Sequence, residues 1–191
     1  MARPVRCAPV DDLARCLSAG RSSDSMTAAR ITESRSVFSM VCAVELNIHA
    51  SPVTIWSLLT DAKEFPRWNS TVTSMEGEIR EGEQLRLHVP GTDRTFTPTV
   101  SGVVPHERMT WTGGVSLLFK GVRNFELRRC EDGTTDFAME ERFSGLILPL
   151  VRASMPDFGP VFERYARDLK REAERRQSES VTHRPTVAAR R

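Results

Sequence analysis

Between residues 71 and 143 the chain keeps returning to short stretches of period two, cut by Gly, Pro and Asp, and beyond them runs one long stripe of period 3.6. Few folds accept that order. The order reads as a series of antiparallel strands followed by one long amphipathic helix. Segments 71–79, 83–89, 94–104, 109–113, 119–129 and 134–143 read as strands, with Gly91, Thr92 and Asp93 in one hairpin turn and Asp132 and Gly133 in another. Pro98 predicts an edge or a bulge within its strand. Upstream, 41–49 alternates with Val44, Leu46 and Ile48 on one side, which brings the expectation to about seven antiparallel strands.

Two short helices are expected after that first strand. Ser51 supplies a cap and Pro52 a first helical position, ahead of the apolar Val53, Ile55, Trp56, Leu58 and Leu59. The stretch 61–68 repeats the pattern, with Asp61 as cap, Glu64 as capping-box partner and Pro66 as its close. A long helix over about 160–176 carries Phe162, Tyr165, Leu169 and Ala173 on one stripe. The fold class is therefore α+β.

Composition bounds the ends and the partners. Residues 1–39 are rich in Ala, Ser and Arg without a sustained period, which predicts a disordered extension; 177–191 reads as a polar basic tail, leaving 40–176 as the domain. With 27 basic against 25 acidic residues the net charge is only +2, too little for a nucleic-acid footprint. Cys7, Cys16, Cys42 and Cys130 have no CxxC or zinc-ligand spacing, so reduced thiols in a cytoplasm are expected. No apolar run is long enough for a bilayer, the best being 146–151, interrupted by Pro149. No GxGxxG, P-loop or GxSxG motif occurs and His49, His88, His106 and His183 form no ligand pairs, so neither a cofactor nor a metal is expected.

Several local motifs carry a resemblance. Ile48-His49-Ala50-Ser51-Pro52 through Trp56, Leu59-Thr60-Asp61 and Phe65-Pro66-Arg67-Trp68-Asn69 stand in order, followed by Pro105, Met109-Thr110-Trp111, Phe125, Gly133-Thr134-Thr135, Glu140-Glu141-Arg142-Phe143-Ser144-Gly145 and Leu169-Lys170. Over roughly 41–176 the chain resembles the polyketide cyclase/dehydrase-like branch of the START-related (SRPBCC) superfamily. The resemblance implies a helix-grip fold: a curved antiparallel sheet wrapped round the C-terminal helix, with a cavity that in relatives holds lipids, sterols, polyketides or other apolar molecules. It implies scaffold roles for Asp61, Phe65, Trp68 and Asn69. It does not imply one reaction.

The residues narrow the choice further. On the last strand Thr135, Phe137, Met139, Glu141 and Phe143 share a face, and on the preceding one Phe119, Gly121, Arg123, Phe125 and Leu127 do. A hairpin burying both faces pairs odd with odd positions, which sets Arg123 opposite or diagonal to Glu141 among aromatic residues. Such a pair fixes register, or it orients a polar group of an apolar ligand, or it offers Glu141 as acid or base. Trp111, Phe119, Phe125, Met139 and Phe143 on the sheet, facing Phe158, Phe162 and Tyr165 on the helix, complete the expected lining. The sequence thus points to a small hydrophobic ligand; the alternative is a cofactor-independent cyclase or dehydratase acting through Glu141 on a polyketide-like or aromatic substrate.

Overall fold

Alternation builds the main sheet. The computed structural model describes residues 28–115, 117–151, 155 and 157–182. Strands β1 (Arg30–Arg35), β2 (Ser39–Ile48), β6 (Thr99–Val104), β7 (Arg108–Val115), β8 (Phe119–Arg129) and β9 (Thr135–Ser144) form one sheet in the order β1-β2-β9-β8-β7-β6. Every pairing in it is antiparallel. A second, three-stranded sheet holds β3 (Ser74–Glu76), β4 (Arg86–His88) and β5 (Thr95–Phe96). Two short helices, α1 (Pro52–Thr60) and α2 (Phe65–Trp68), follow β2; α3 (Leu148–Val151) follows β9, and α4 (Phe158–Thr182) closes the chain. This is the helix-grip arrangement.

In β2 the even residues Met40, Cys42, Val44, Leu46 and Ile48 are buried, and in β9 the odd ones Thr135, Phe137, Met139 and Phe143. The register mates these sets directly, with Met40 opposite Phe143 and Val44 opposite Met139. Against that face lies the stripe of α4, where Phe162, Tyr165, Ala166, Leu169 and Ala173 are all buried. Helix α1 begins as the sequence predicts, the Ser51 hydroxyl accepting the Thr54 amide at 3.2 Å with Pro52 in the first turn.

The ties between α4 and the rest are unevenly placed. Asp168 accepts the Ser70 amide at 2.9 Å and its hydroxyl at 2.6 Å; Lys170 donates to the Asn47 carbonyl at 2.7 Å; Glu174 accepts the His49 amide at 3.0 Å; Gln177 accepts the Ser51 amide at 3.1 Å and the Thr54 hydroxyl at 2.8 Å. Among the described residues, none between Phe158 and Arg167 on this helix makes a hydrogen bond or ion pair to another element; that stretch is held by side-chain packing, with Arg123 against Phe162.

Four expectations need correction. Residues 30–39, assigned above to the extension, are strand β1, its turn and the start of β2; residues 1–27 lie outside the described residues. The expected seven strands become nine among the described residues, because β1 is added and Pro98 splits 94–104 into β5 and β6; 71–79 pairs as a strand only over Ser74–Glu76, and 83–89 over Arg86–His88 with a single bridge from Gln84 to Thr99. Pro66 sits in the first turn of α2 instead of closing it, where its missing amide costs nothing; Asp61 accepts the Lys63 and Glu64 amides at 3.2 and 3.3 Å in the turn ahead of α2, whose own N-cap is Glu64, and Glu64 pairs with Arg67 rather than reaching back. Helix α4 runs past 176 to Thr182, since Gln177 is anchored to the start of α1 rather than solvated as a tail. Residues 183–191 lie outside the described residues.

Candidate functional site

Ladder pairing carries one row of side chains across the concave face: Glu33 opposite Cys42, Cys42 opposite Glu141, Glu141 opposite Arg123, and Arg123 opposite Trp111. The expected pairing of Arg123 with Glu141 is therefore the one the hairpin adopts. Arg123 donates from Nη2 at 2.6 Å and from Nε at 3.2 Å, both to Oε2. No hydrogen bond among the described residues uses Oε1 of Glu141. The guanidinium also rests 5.4 Å from the centre of the Phe162 ring on α4. The side chains are 24% and 13% exposed, so the pair is largely but not wholly removed from water. Burial opposes the charge on Arg123, and the Glu141 carboxylate beside it more than restores it, holding the guanidinium pKa above its ordinary value.

Cys42 lies between two carboxylates in this row. Burial, then Glu33, Glu141 and Asp157, push its thiol up to about 11, with Arg123 pulling slightly the other way. It remains a protonated, unreactive thiol at neutral pH. Glu33 and Cys42 were not among the predicted site residues. The only cue for β1 was Ile31, because its neighbours Thr32, Glu33, Ser34 and Arg35 carry no apolar alternation.

Beside the charged row lies an aromatic cluster. The Phe65 ring is 4.6 Å from Trp68, 6.0 Å from Trp111 and 6.2 Å from Tyr165, measured between centres. Phe125 stacks edge-on to Trp111 at 4.9 Å, and Phe137 lies parallel to Tyr165 at 6.4 Å. Three donors in this cluster, Trp68 Nε1, Trp111 Nε1 and the Tyr165 hydroxyl, are fully buried without a hydrogen-bond partner. Burial lifts the Tyr165 hydroxyl far above its ordinary pKa, although Arg123 works against it, so the group stays a donor. Phe65 and Trp68 pack within this cluster in the main core; strand and helix periods in the sequence do not reveal which insert residue reaches the sheet.

The predicted residues thus divide. Trp111, Phe125, Met139, Phe162 and Tyr165 belong to the main core, whereas Phe143 packs with Met40 and Leu148, joined by Phe119 and Phe158, in a smaller cluster toward α3. Arg123 and Glu141 stand at the junction of the two. Phe143 is 4.8 Å from Phe158 and 5.8 Å from Phe119, ring to ring. Two surface hollows, of about 500 and 600 Å³, lie elsewhere: one along Glu174, Gln177 and Thr182 with His49, the other round the Gly91 turn. Neither touches a predicted residue. Among the described residues no cluster of His, Cys, Asp or Glu is arranged to hold a metal, and no helix is long and apolar enough to cross a membrane.

Residues 41–174 match the family of polyketide cyclases/dehydrases and lipid transport proteins. The chain belongs to this family. Solved structures agree on the fold. The di-domain aromatase/cyclase StfQ of the steffimycin biosynthetic pathway superposes with a TM-score of 0.59 at 12% identity, over 76% of this chain and 53% of that one, so this chain spans about half of StfQ. CalU16 from Micromonospora echinospora gives 0.54 at 17% identity, covering 80% and 92%. A hypothetical protein from Helicobacter pylori gives 0.58 at 10% identity, covering 69% and 86%. No curated protein matches. At these identities the likeness concerns the polyketide cyclase/lipid transport fold, an architecture suited to enclosing a small hydrophobic molecule.

Proposed function

We propose that this protein binds a small hydrophobic molecule bearing at least one acceptor oxygen, held between the main sheet and the N-terminal half of α4. The observation that carries this reading is the set of three unpartnered donors round Phe65. An amide-like or hydroxyl donor buried without an acceptor costs about 1–3 kcal/mol, and three in one aromatic cluster make an arrangement that a carbonyl or ether oxygen would relieve. The surrounding rings supply apolar area, and Glu141 Oε1, not engaged by Arg123, can accept from a ligand hydroxyl at the other end of the site. The family's range of activities supports the same chemistry of ligand without selecting a reaction.

A matched pair of probes tests this. Fluorenone and fluorene share size and shape and differ by one carbonyl. Tryptophan fluorescence of the full chain should report fluorenone binding at least about tenfold tighter than fluorene, the size of a polar contact of about 1.4 kcal/mol. Tyr165→Phe should narrow that preference without unfolding the protein. Equal affinity for both probes, or none for either alongside native mass spectra free of any retained small molecule, would overturn the reading. A cyclase or dehydratase would in addition lose turnover, but not binding, in Glu141→Gln.

A further inference from the structure

Eight of the eleven large hydrophobic side chains exposed among the described residues sit at one end of the main sheet. They come from three loops: the β1–β2 turn with Phe38, the β7–β8 turn with Val115, Leu117 and Leu118, and the stretch from Gly145 into α3 with Leu146 and Leu150. Backbone hydrogen bonds join these loops into a single rim. The Gly145 amide donates to the Phe38 carbonyl at 3.2 Å, that of Leu146 to the Leu117 carbonyl at 2.9 Å, and that of Ile147 to the Leu118 carbonyl at 3.2 Å. Glycine is required at two of the joints. A Cβ on Gly114 would lie 2.2 Å from the Phe119 carbonyl oxygen and one on Gly145 2.1 Å from that of Leu118, and both residues have positive φ.

Leu117 itself has a φ of 72°, a conformation that a leucine adopts only at a cost, and its side chain is 81% exposed; Leu150 is 82% exposed. The backbone is thus held in an unfavourable state that points an apolar side chain at solvent. Charge adds a direction. Segments 34–41, 112–122 and 142–151 contain Arg35, Lys120 and Arg142 and not one Asp or Glu. Arg35 and Arg142 have carboxylate neighbours further along their own strands, Glu33 at 2.8 Å and Glu140 at 3.6 Å, whereas Lys120 has no ion pair among the described residues.

We infer that this rim docks on an anionic lipid surface. Separate apolar tips projecting from a cationic margin suit a bilayer, which accepts protruding side chains without a complementary shape and supplies the negative charge the rim lacks. The rim also backs directly onto the smaller apolar cluster of Met40, Phe143 and Leu148, which leads to Glu141 and Arg123. Docking would therefore place the mouth of the site at the membrane. It does not depend on what the site holds.

The test is co-sedimentation of the full chain with vesicles of phosphatidylcholine alone and of phosphatidylcholine mixed with phosphatidylglycerol. Binding is expected to the anionic vesicles, weakened by salt. A Leu117→Asn/Leu150→Glu variant should lose at least about tenfold in partitioning, since asparagine tolerates the left-handed backbone and leaves the fold undisturbed. Lys120→Glu should weaken binding to anionic vesicles alone. Failure to bind any vesicle, or equal binding by the double variant with an unchanged melting temperature, would overturn the inference. So would a concentration-dependent dimer that the double variant abolishes in the absence of vesicle binding, which would assign the rim to a second copy of the chain.

Discussion

Arg123 contributes to three things at once: the β8–β9 register, the packing of Phe162 and the hydrogen bonding of Glu141. Removing one partner of a largely buried pair leaves the other charge uncompensated. Because both groups keep some contact with water, Arg123→Met and Glu141→Gln should each cost about 1–3 kcal/mol, less than a fully desolvated pair would. In a double-mutant cycle by urea unfolding, the double variant should recover at least about 1 kcal/mol of the summed loss. Strict additivity would show that the two side chains act independently. Trp68→Ala should cost about 3–5 kcal/mol, as its ring packs on Phe65 and on Tyr165 at 5.7 Å. A stable variant in the same unfolding experiment would place that ring at the mouth of the site rather than in its wall.

Legibility differs from element to element for physical reasons. Strands β8 and β9 are long and carry most of their apolar residues at odd positions, so parity alone places Arg123 with Glu141 on the concave side. Strand β1 hides because an edge strand with one apolar residue has no period to read, and its stability comes from pairing with β2 and from the start of α4, where Gly159 lies against Ile31 and Glu33. The three-stranded sheet is short although alternation is present, because Pro98 divides the segment it pairs with: Thr95 and Phe96 pair with β4, whereas Gln84 and Leu85 bond across to Thr99 and Pro98. A chain beginning at Met40 should consequently be less stable than one beginning at Ala28, by about 2–4 kcal/mol for the lost Ile31 contact and the bared β2 edge. Coincident urea midpoints would mean that β1 adds nothing to the fold. The donors round Phe65 were illegible in a further sense, since no pattern in sequence announces that a hydrogen bond will be missing.

For the molecule as a whole, the depressed carboxylates set one stability limit and the buried thiol and phenol the other. Hydrogen bonds from Arg175 and Arg176, against a smaller opposing effect of burial, draw Glu172 from an ordinary 4.5 down to about 2. Burial alone would raise Asp136 and Glu174, but Asn47 and Arg128 on the first and Lys170 on the second outweigh it and lower both. Groups lowered in the folded state stabilise it above their unfolded pKa and lose that contribution as pH falls through the folded value. The raised Cys42 and Tyr165 act on the other limb, because the unfolded chain releases those protons first as pH rises past 9.0 and 10.0. Melting temperature should therefore be flat from about pH 5 to about pH 8, falling on both sides. Cys42→Ser should soften the alkaline fall and leave the acid one unchanged.

The uneven fastening of α4 has a mechanical consequence at this same scale. Its C-terminal part is pinned through Asp168, Lys170, Glu174 and Gln177, while the turns bearing Phe162 and Tyr165 are attached by nonpolar and ring contacts. A rod clamped at one end and merely adhering at the other pivots about the clamp. Amide hydrogen exchange along α4 should accordingly run as a gradient, fastest near Phe162 and slowest near Leu169 and Ala173, and a ligand beneath Tyr165 should flatten it by slowing only the fast end. The lever moves where the unpartnered donors are, so the same asymmetry that leaves them covered also decides which end of the helix lifts to uncover them.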